Sequence, residues 1–593
     1  MSERKPYDGT QRKLVIAMDL GTTFSGASYS ILDPGRVPEI KGVTRFPSQE
    51  HVGGDAKIPT IMYYDQEGNV KAVGAEALKQ NVVEDAEDDG WNRCSAFKLH
   101  LRPPSASSEE ISRGIPPLPD GMDVVTVFAD FYAYLFDCTK TFILDNHQNA
   151  VSLWNSVESS IEFVLSHPNG WEGSQQCKMR QAAVDAGLVP DDDEGHSRVH
   201  FVTEGEASLH FCIHRGLESY IRDEEGVMIV DAGGGTVDIS TYSSIQSPNV
   251  DSHAFEEIAA PACNFTGSIY VTARAKLFLR EKLAGSRFAD EVDMIAECFD
   301  ATTKLRFRDV EEASYIKFGT TKDRDSKLDI RSGQLKLAGS EVAGFFEPSI
   351  ASMIKVIDSQ RTNAMKPVSS VFLVGGFAAS DWLFSKLKEH LEPLDISFSR
   401  PGSHVNKAVA DGALSFYLDH VVAARVSKYD YGVPVSTDYN PLDAEHSSRT
   451  DATFFDAAGV LSIGGLFSCM LPKCTQVSED TEFRCSFLQH AMHLVELQSI
   501  TTEIECYRGT KEQPLWVDEE PEEYTVFCTI TADTSEVAKS LKLQRRPDGK
   551  SYFTLAYDII LLFGRTELKA QFSWKENDEE KRGPARIIYD RIV

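Results

Sequence analysis

The stretch MIVDAGGGTVDIS (Met228–Ser240) runs three apolar residues into an acid, turns on three glycines, and leaves through a threonine and a second acid. Glycines allow close backbone approach and positive φ angles, so such a loop can offer its amides to an anion. The carboxylates of Asp231 and Asp238 oppose that reading, because they repel phosphates. Context decides. GVMIV (Gly226–Val230) before the loop has the pattern of a buried strand, and VDISTYSSI after it alternates, with Val237, Ile239 and Thr241 on one face. The turn therefore joins strand to strand. A P-loop or a dinucleotide fingerprint sets its glycines between a strand and a helix, and neither GxxxxGK[ST] nor GxGxxG is spelled here.

The same arrangement occurs near the start of the chain. KLVIAMDL (Lys13–Leu20) is an apolar run ending in an acid, and GTTFSGASYSIL after it follows a period of two. Two strand–acid–Gly–Thr–strand units read as an internal duplication in which each half opens on a hairpin. Two facing hairpins would offer amides from both sides, with the hydroxyls of Thr22, Thr23 and Thr236 as further donors. The acids then fit a metal site. Mg²⁺ takes oxygen ligands and keeps several waters, so Asp19 and Asp231 could hold it through waters while it bridges phosphates. A further acid or threonine would orient the attacking water. A hairpin used only for tight turning is the competing reading of one loop; two matched loops and a downstream Gly-Gly segment favour the site.

Outward from these loops, apolar spacing predicts a helix over 126–144 and another over 174–189 ending at Gly187. VFLVGGFAASDWLFSKLKEHL (Val371–Leu391) reads as strand, two glycines and a helix capped by Ser380. Strands alternating with helices through about residue 420 predict an α/β core. Beyond about residue 425 the pattern changes to short alternating segments, such as FRCSFLQ, TEIECYRG, YTVFCTITAD and SYFTLAYDIILLFG, which predict a β-sandwich-like domain.

Composition sets the boundaries. A net charge of −30 argues against a nucleic-acid surface, which needs clustered Lys and Arg. The acid runs Glu84–Asp89, Asp191–Glu194 and Asp518–Glu523 read as solvated loops. Eleven dispersed cysteines without a CxxC pair fit reduced thiols in the cytosol or nucleus. Residues 1–12 are polar, predict a flexible lead-in and lack a secretory h-region; no run of about 18 apolar residues predicts a membrane span.

Taken together and in order, these segments resemble the heat-shock protein 70 family of actin-like ATPases, and within it the heat-shock 70 kDa protein 12 branch. IAMDLGTTFSGASYS is similar to the family's first phosphate motif and MIVDAGGGTVDIS to its second. VFLVGGFAASDWLFSKL resembles the adenosine motif, NKAVADGAL (Asn406–Leu414) the second connecting helix, and FVTEGEASLHF the first. LSHPNGWEGSQQCKMRQAAVDAGL resembles the Pro-aromatic stretch and its helix. The resemblance covers about residues 13–424. It implies a duplicated actin-like, ribonuclease-H-like ATPase domain with lobes at about 13–225 and 226–424, followed by a smaller β-sandwich-like domain over 425–593.

Site roles follow from the resemblance position by position. Asp19, Gly21, Thr22, Thr23 and Phe24 would serve the first phosphate loop; Gly233, Gly234, Gly235 and Thr236 the second, flanked by Asp238. Asp231 and Glu204 would lie around the metal and its waters. Gly375, Gly376 and Phe377 would approach the ribose or base. The lysine that helps activate water would be Lys98, in CSAFKLHL. The chain also departs from the pattern. The third phosphate-side motif is represented by NFTGSIYV, with Gly267 and Ser268 but no acid, and the base-clamping helix by EEASYIKFG, where Lys317 is the one candidate. The acidic leucine-rich linker, the helical lid and the acidic tail motif are not spelled.

The expectation is a weak ATPase that binds ATP or ADP with Mg²⁺. Its closure would be relayed to a β domain that binds a protein client or partner, with co-chaperones as further partners. A nucleotide-sensing scaffold without turnover is the alternative, and a small-molecule kinase of the same fold, with Asp231 as base, is the third.

Overall fold

A computed structural model of the chain describes residues 4–51, 57–103, 115–215, 225–245, 254–401, 408–478, 481–564 and 567–583. The chain divides into two compact units, Met1–Trp171 with Lys178–Val422, and Glu172–Cys177 with Ala423–Val593.

The first unit is mixed α/β and is built on two sheets. The first sheet contains β1 (Lys13–Asp19), β2 (Phe24–Leu32), β3 (Lys41–Gly42), β4 (Glu162–His167) and β5 (Val199–Thr203), in the order β3-β2-β1-β4-β5. The second contains β6 (Gly226–Ala232), β7 (Val237–Ile245), β8 (Ala254–Asn264), β9 (Val368–Val374) and β10 (Ser397–Ser399), in the order β8-β7-β6-β9-β10. Strand senses match as well as order. β1 and β6 each pair antiparallel with the next strand and parallel with the later one. The near-continuous apolar runs of β1 and β6 follow from this placement, since a central strand is covered on both faces. Leu14–Met18 and Val227–Val230 are all at most 1% exposed.

Helices cover these sheets. α1 (Val124–Asn146) buries Val127, Phe128, Phe131, Tyr132 and Leu135, a helical stripe against the first sheet's core. α2 (Gly173–Asp185) stops before Gly187, whose φ of +71° ends the turn. α3 (Glu204–His214) starts at Thr203, whose hydroxyl accepts from the Glu206 amide at 3.2 Å. Ser380 caps α5 (Asp381–Leu391) as the sequence predicts, accepting from the Leu383 amide at 3.3 Å. α4 (Ser268–Lys282) follows β8, and α6 (Ala408–Asp419) lies against α3 so closely that a Cβ on Gly412 would stand 1.8 Å from the Ala207 carbonyl oxygen. Asn406 and Lys407, the start of the expected second connecting helix, lie outside the described residues.

At the chain's start, the Tyr7 amide donates to the Arg36 carbonyl at 2.9 Å and Arg4 binds Asp419 at 2.7 Å.

The second unit holds two antiparallel sheets around one core. One runs Thr453–Phe455, Leu461–Leu471, Asp430–Asp438, Ser499–Tyr507, Tyr524–Asp533; the other runs Glu482–Ala491, Ser551–Gly564, Glu567–Glu576, Glu579–Arg582. Ile500, Ile504, Ile530, Ile559 and Phe572 meet between them. The segments read as strands are strands.

Three local expectations are corrected. The run Glu84–Asp89 is the end of a helix, Gln80–Asp89, because its alternative to a loop is a turn that buries Ala86. Asp518–Glu523 is ion-paired rather than only solvated: Arg449 reaches Asp518 at 2.9 Å and Glu519 at 3.1 Å, and Lys511 reaches Glu519 at 2.8 Å. The segment expected to be a base-clamping helix forms a strand, Ser314–Lys317, that buries Ile316 alone. Among the described residues no helix is long and apolar enough to cross a membrane.

Candidate functional site

The two glycine hairpins touch each other. A Cβ on Gly234 would stand 2.4 Å from Thr23 Oγ1, and one on Gly235 would stand 2.5 Å from Thr22 Oγ1. Threonine of one loop faces glycine of the other, twice. Only glycine fits the second loop at this separation. Each hairpin is tight. The Gly233 amide donates to the Thr236 carbonyl at 2.9 Å, and the Gly21 amide to Ser25 Oγ at 3.2 Å.

Beneath the loops lies a charged, buried floor. Asp19 ends β1 and is 3% exposed; Asp231, in β6, is 4% exposed; Glu204 opens α3; Asp238, in β7, is fully buried. Lys57 Nζ bonds Asp19 Oδ2 at 2.6 Å, and Ser166 Oγ donates to the other Asp19 oxygen at 3.1 Å. Lys98, on the short helical turn Phe97–Leu101, forms a buried ion pair with Glu204. Ser208, one turn further along α3, donates to Asp231 Oδ2 at 2.7 Å. The Asn169 amide donates to Asp238 Oδ1 at 2.6 Å, and the Thr236 hydroxyl bonds the same carboxylate.

These carboxylates outnumber the ammonium groups set against them: Asp19, Glu204, Asp231 and Asp238 face Lys57 and Lys98. The imbalance shows in the titration. Burial pushes Asp231 up to about 7, with Asp238 and Asp19 adding to it and Ser208 and Lys57 opposing. Burial likewise raises Glu204 against the pull of Lys98, and raises Asp238 against its bonds to Thr236 and Asn169. Burial disfavours the Lys98 ammonium, but Glu204 and then Asp19 more than offset it, so Lys98 stays charged. A floor with about two surplus negative charges favours a divalent cation or protons. Among the described residues no three His, Cys, Asp or Glu side chains converge as direct metal ligands. A hydrated Mg²⁺, which keeps most of its waters and needs few protein oxygens, would fit such a donor set. Gly375 supports that fit: with φ at +90°, its Cβ position is 2.3 Å from Asp231 Oδ1, so only glycine leaves this carboxylate room.

The remaining predicted residues fall into three groups. Gly376 is exposed with open space at its Cβ position, and Phe24 is 50% exposed where β2 begins. The amides of Gly267, Ser268 and Ile269 are already bonded, to the carbonyls of Gly235, Gly233 and Gly234 at 3.1, 3.1 and 3.0 Å. Gly267 and Ser268 thus brace the second loop. Phe377 is a core residue, 4% exposed and packed on Phe346, and Lys317 is exposed on its strand.

Sequence reading missed Lys57, Ser166, Asn169 and Ser208, whose partners are 23 to 147 residues away. It also missed Lys304, which is 6% exposed and sits where a π-helical turn, Phe299–Thr303, meets the next helix. Its Nζ pairs with the Asp300 carboxylate and also lies 3.4 Å from the Ser268 carbonyl and 3.2 Å from Thr272 Oγ1. π-Turns gather at functional sites, and no periodicity in the sequence announces one.

No family model matches the chain. It is similar to heat shock 70 kDa protein 12A of Homo sapiens and of Mus musculus, each 22% identical over 514 residues that cover 72% of this chain and 72% of the relative. This similarity supports reading the chain as a divergent relative of a heat-shock 70-like protein.

Proposed function

We propose that the chain binds Mg-ATP between its two hairpins, hydrolyses it slowly, and passes the resulting closure to a protein-binding β unit. The observation that carries this reading is the contact of Thr22 and Thr23 with Gly235 and Gly234 above a buried, carboxylate-rich floor. The matched strand order of the two sheets supports a duplicated, actin-like arrangement, and the two-sheet second unit a β-sandwich-like partner domain.

In this reading the loop amides and the Thr22 and Thr23 hydroxyls bind phosphate oxygens. Asp19 and Asp231 would hold Mg²⁺ through waters, and the ion would supply charge neutralisation of the phosphates. Glu204 keeps Lys98 charged and oriented next to that floor. Ser208 and Ser166 fix the two aspartates, so neither must reorganise when ligand enters. Thr236 orients Asp238, and Gly376 leaves space for the ribose or base. Eleven free thiols fit a reducing compartment, the cytosol or nucleus.

A scaffold that binds nucleotide without turnover is the second reading. It is favoured by the commitment of the 267–269 amides to loop carbonyls, which removes three donors from the ligand. Limited proteolysis with and without Mg-ATP tests the proposal. Nucleotide-dependent protection of the first unit supports it; an identical digest in both conditions contradicts it.

A further inference from the structure

Strand β8 carries a proline, Pro261, which has no N–H to give to a ladder. The pairing of β7 with β8 shifts register at that point, between Ile239 and Thr241 on one strand and Ala262 and Ala259 on the other. Such irregularities disrupt the ladder locally and gather next to active sites. Two side-chain amides fill the break. Gln360 Nε2 donates to the Ala260 carbonyl at 2.6 Å. Asn169 Nδ2 lies 3.0 Å from Ser240 Oγ, 3.2 Å from the Ala262 carbonyl and 3.3 Å from the Ile239 carbonyl.

Asn169 reaches this break from the other sheet. It lies two residues past β4, and it is 1% exposed. Its oxygen accepts from the Gly205 amide at 3.3 Å, in the first turn of α3, which follows β5. That amide is one of the donors a helix start leaves without an intrahelical partner. The side chain cannot be turned over, because the carbonyls of Ile239 and Ala262 only accept and the Gly205 N–H only donates. Gly205 lets α3 lie directly on β7: a Cβ there would stand 2.3 Å from Ser240 Oγ and 2.9 Å from Asn169 Oδ1. Ser208, on the same helix, adds its bond to Asp231 in β6. The acids of the floor flank this contact. Glu204 precedes Gly205, and Asp238, bonded to the Asn169 backbone amide at 2.6 Å, lies two residues before Ser240.

We infer that the Asn169 side chain is a joint between the two sheets, and that it keeps Glu204 and Asp238 at a fixed separation while the hairpins part and meet. The hairpins meet through packing of Thr22 and Thr23 on glycines, a contact that a ligand can replace. Breaking the Asn169 contacts would instead strand a buried amide and its buried partners, which is far more costly. Asn169 is a positioning residue, acting through α3 and β7. Its effect on turnover rests on the proposed ATPase reading; the joint itself does not.

The test has two parts. Hydrogen exchange of the full chain without nucleotide is expected to be at least about tenfold faster at the Gly205 amide in Asn169→Ala than in wild type, with the Gly267–Ile269 amides unchanged. Unchanged exchange at Gly205, or equal acceleration at both places, overturns the joint. In single-turnover ATP hydrolysis and ATP titration, Asn169→Ala is expected to lose about tenfold in kcat with KM unchanged. Adding Ser240→Ala is expected to cost nothing further, because one bridge is broken once. Wild-type kcat in Asn169→Ala, or losses that multiply, overturn the positioning role. Ser240→Ala alone removes one partner of the amide and carries the same test if Asn169→Ala does not fold: about threefold effects on exchange and on kcat are expected, and wild-type values overturn the inference. A wild-type chain that does not hydrolyse ATP counts against the ATPase reading, and exchange at Gly205 still decides the joint.

Discussion

Lys98 Nζ and a carboxylate oxygen of Glu204 form an ion pair almost wholly removed from solvent, although 106 residues separate them. Such a pair costs much to desolvate, and cutting away one partner strands the other's charge. Lys98→Ala is expected to destabilise the chain by about 3–5 kcal/mol, whereas the double variant Lys98→Met with Glu204→Gln loses less than the single one. Urea unfolding of the wild type, Lys98→Ala, Lys98→Met, Glu204→Gln and the double variant measures both. A double-variant loss equal to the sum of the Lys98→Met and Glu204→Gln losses would show that the pair is not energetically coupled.

The packing of Thr23 on Gly234 gives a second prediction. Gly234→Ala places a methyl 2.4 Å from Thr23 Oγ1 and 2.6 Å from its Cγ2. The loops must then part, at a cost of about 1–3 kcal/mol, and nucleotide binding is expected to fall. Adding Thr23→Ala removes both clashing atoms and restores thermal stability, but not affinity, because the hydroxyl donor is gone. Thermal melts and ATP titrations of the two variants separate packing from ligand binding.

The hairpins themselves were legible in the sequence because everything they need is local: apolar strand, acid, glycines, threonine, alternating strand. The hydroxyl cap at Ser380 and the end of α2 at Gly187 are local in the same way. What escaped depends on partners far away in the chain. Nothing around Lys57 marks it as the counter-ion of Asp19, and Asn169 gains its meaning from Asp238 and Gly205, which folding brings to it. Lys98 was found through resemblance alone, and its local sequence does not announce a buried charge. Lys317 was misplaced because EEASYIKFG looks as helical as it does extended, and pairing with Gln334–Leu337 decides for strand.

Asp231 predicts a pH dependence. Its carboxyl titrates near 7 in the folded chain and near about 3.9 when unfolded. The folded state holds the proton more tightly, so this stabilising contribution is complete below about pH 4. It is lost as pH rises to about 7. The metal-free chain is expected to melt at a higher temperature at about pH 5.5 than at about pH 7.5, other groups being equal. Asp231→Asn removes this part of the slope. Melting curves across that window check the sign; a slope unchanged in Asp231→Asn would refute the assignment.

Arg93, on the strand Asn92–Ser95, pairs with Glu297, on the helix Val292–Cys298, across 204 residues of sequence. Both are substantially exposed, so the pair is worth under about 1 kcal/mol. Arg93→Ala is expected to leave the melting temperature nearly unchanged while bound nucleotide dissociates a few-fold faster, as ties between distant elements of a closing unit allow. Stopped-flow release of a fluorescent ATP analogue measures it.

The central claim is that two glycine hairpins above a carboxylate floor bind ATP with Mg²⁺. Calorimetric titration of the full chain with ATP, with and without Mg²⁺, alongside Asp19→Ala, tests it most directly. The account predicts saturable, one-site binding that Mg²⁺ strengthens and that Asp19→Ala weakens at least about tenfold. Absence of binding, or binding indifferent to both Mg²⁺ and Asp19, would contradict it.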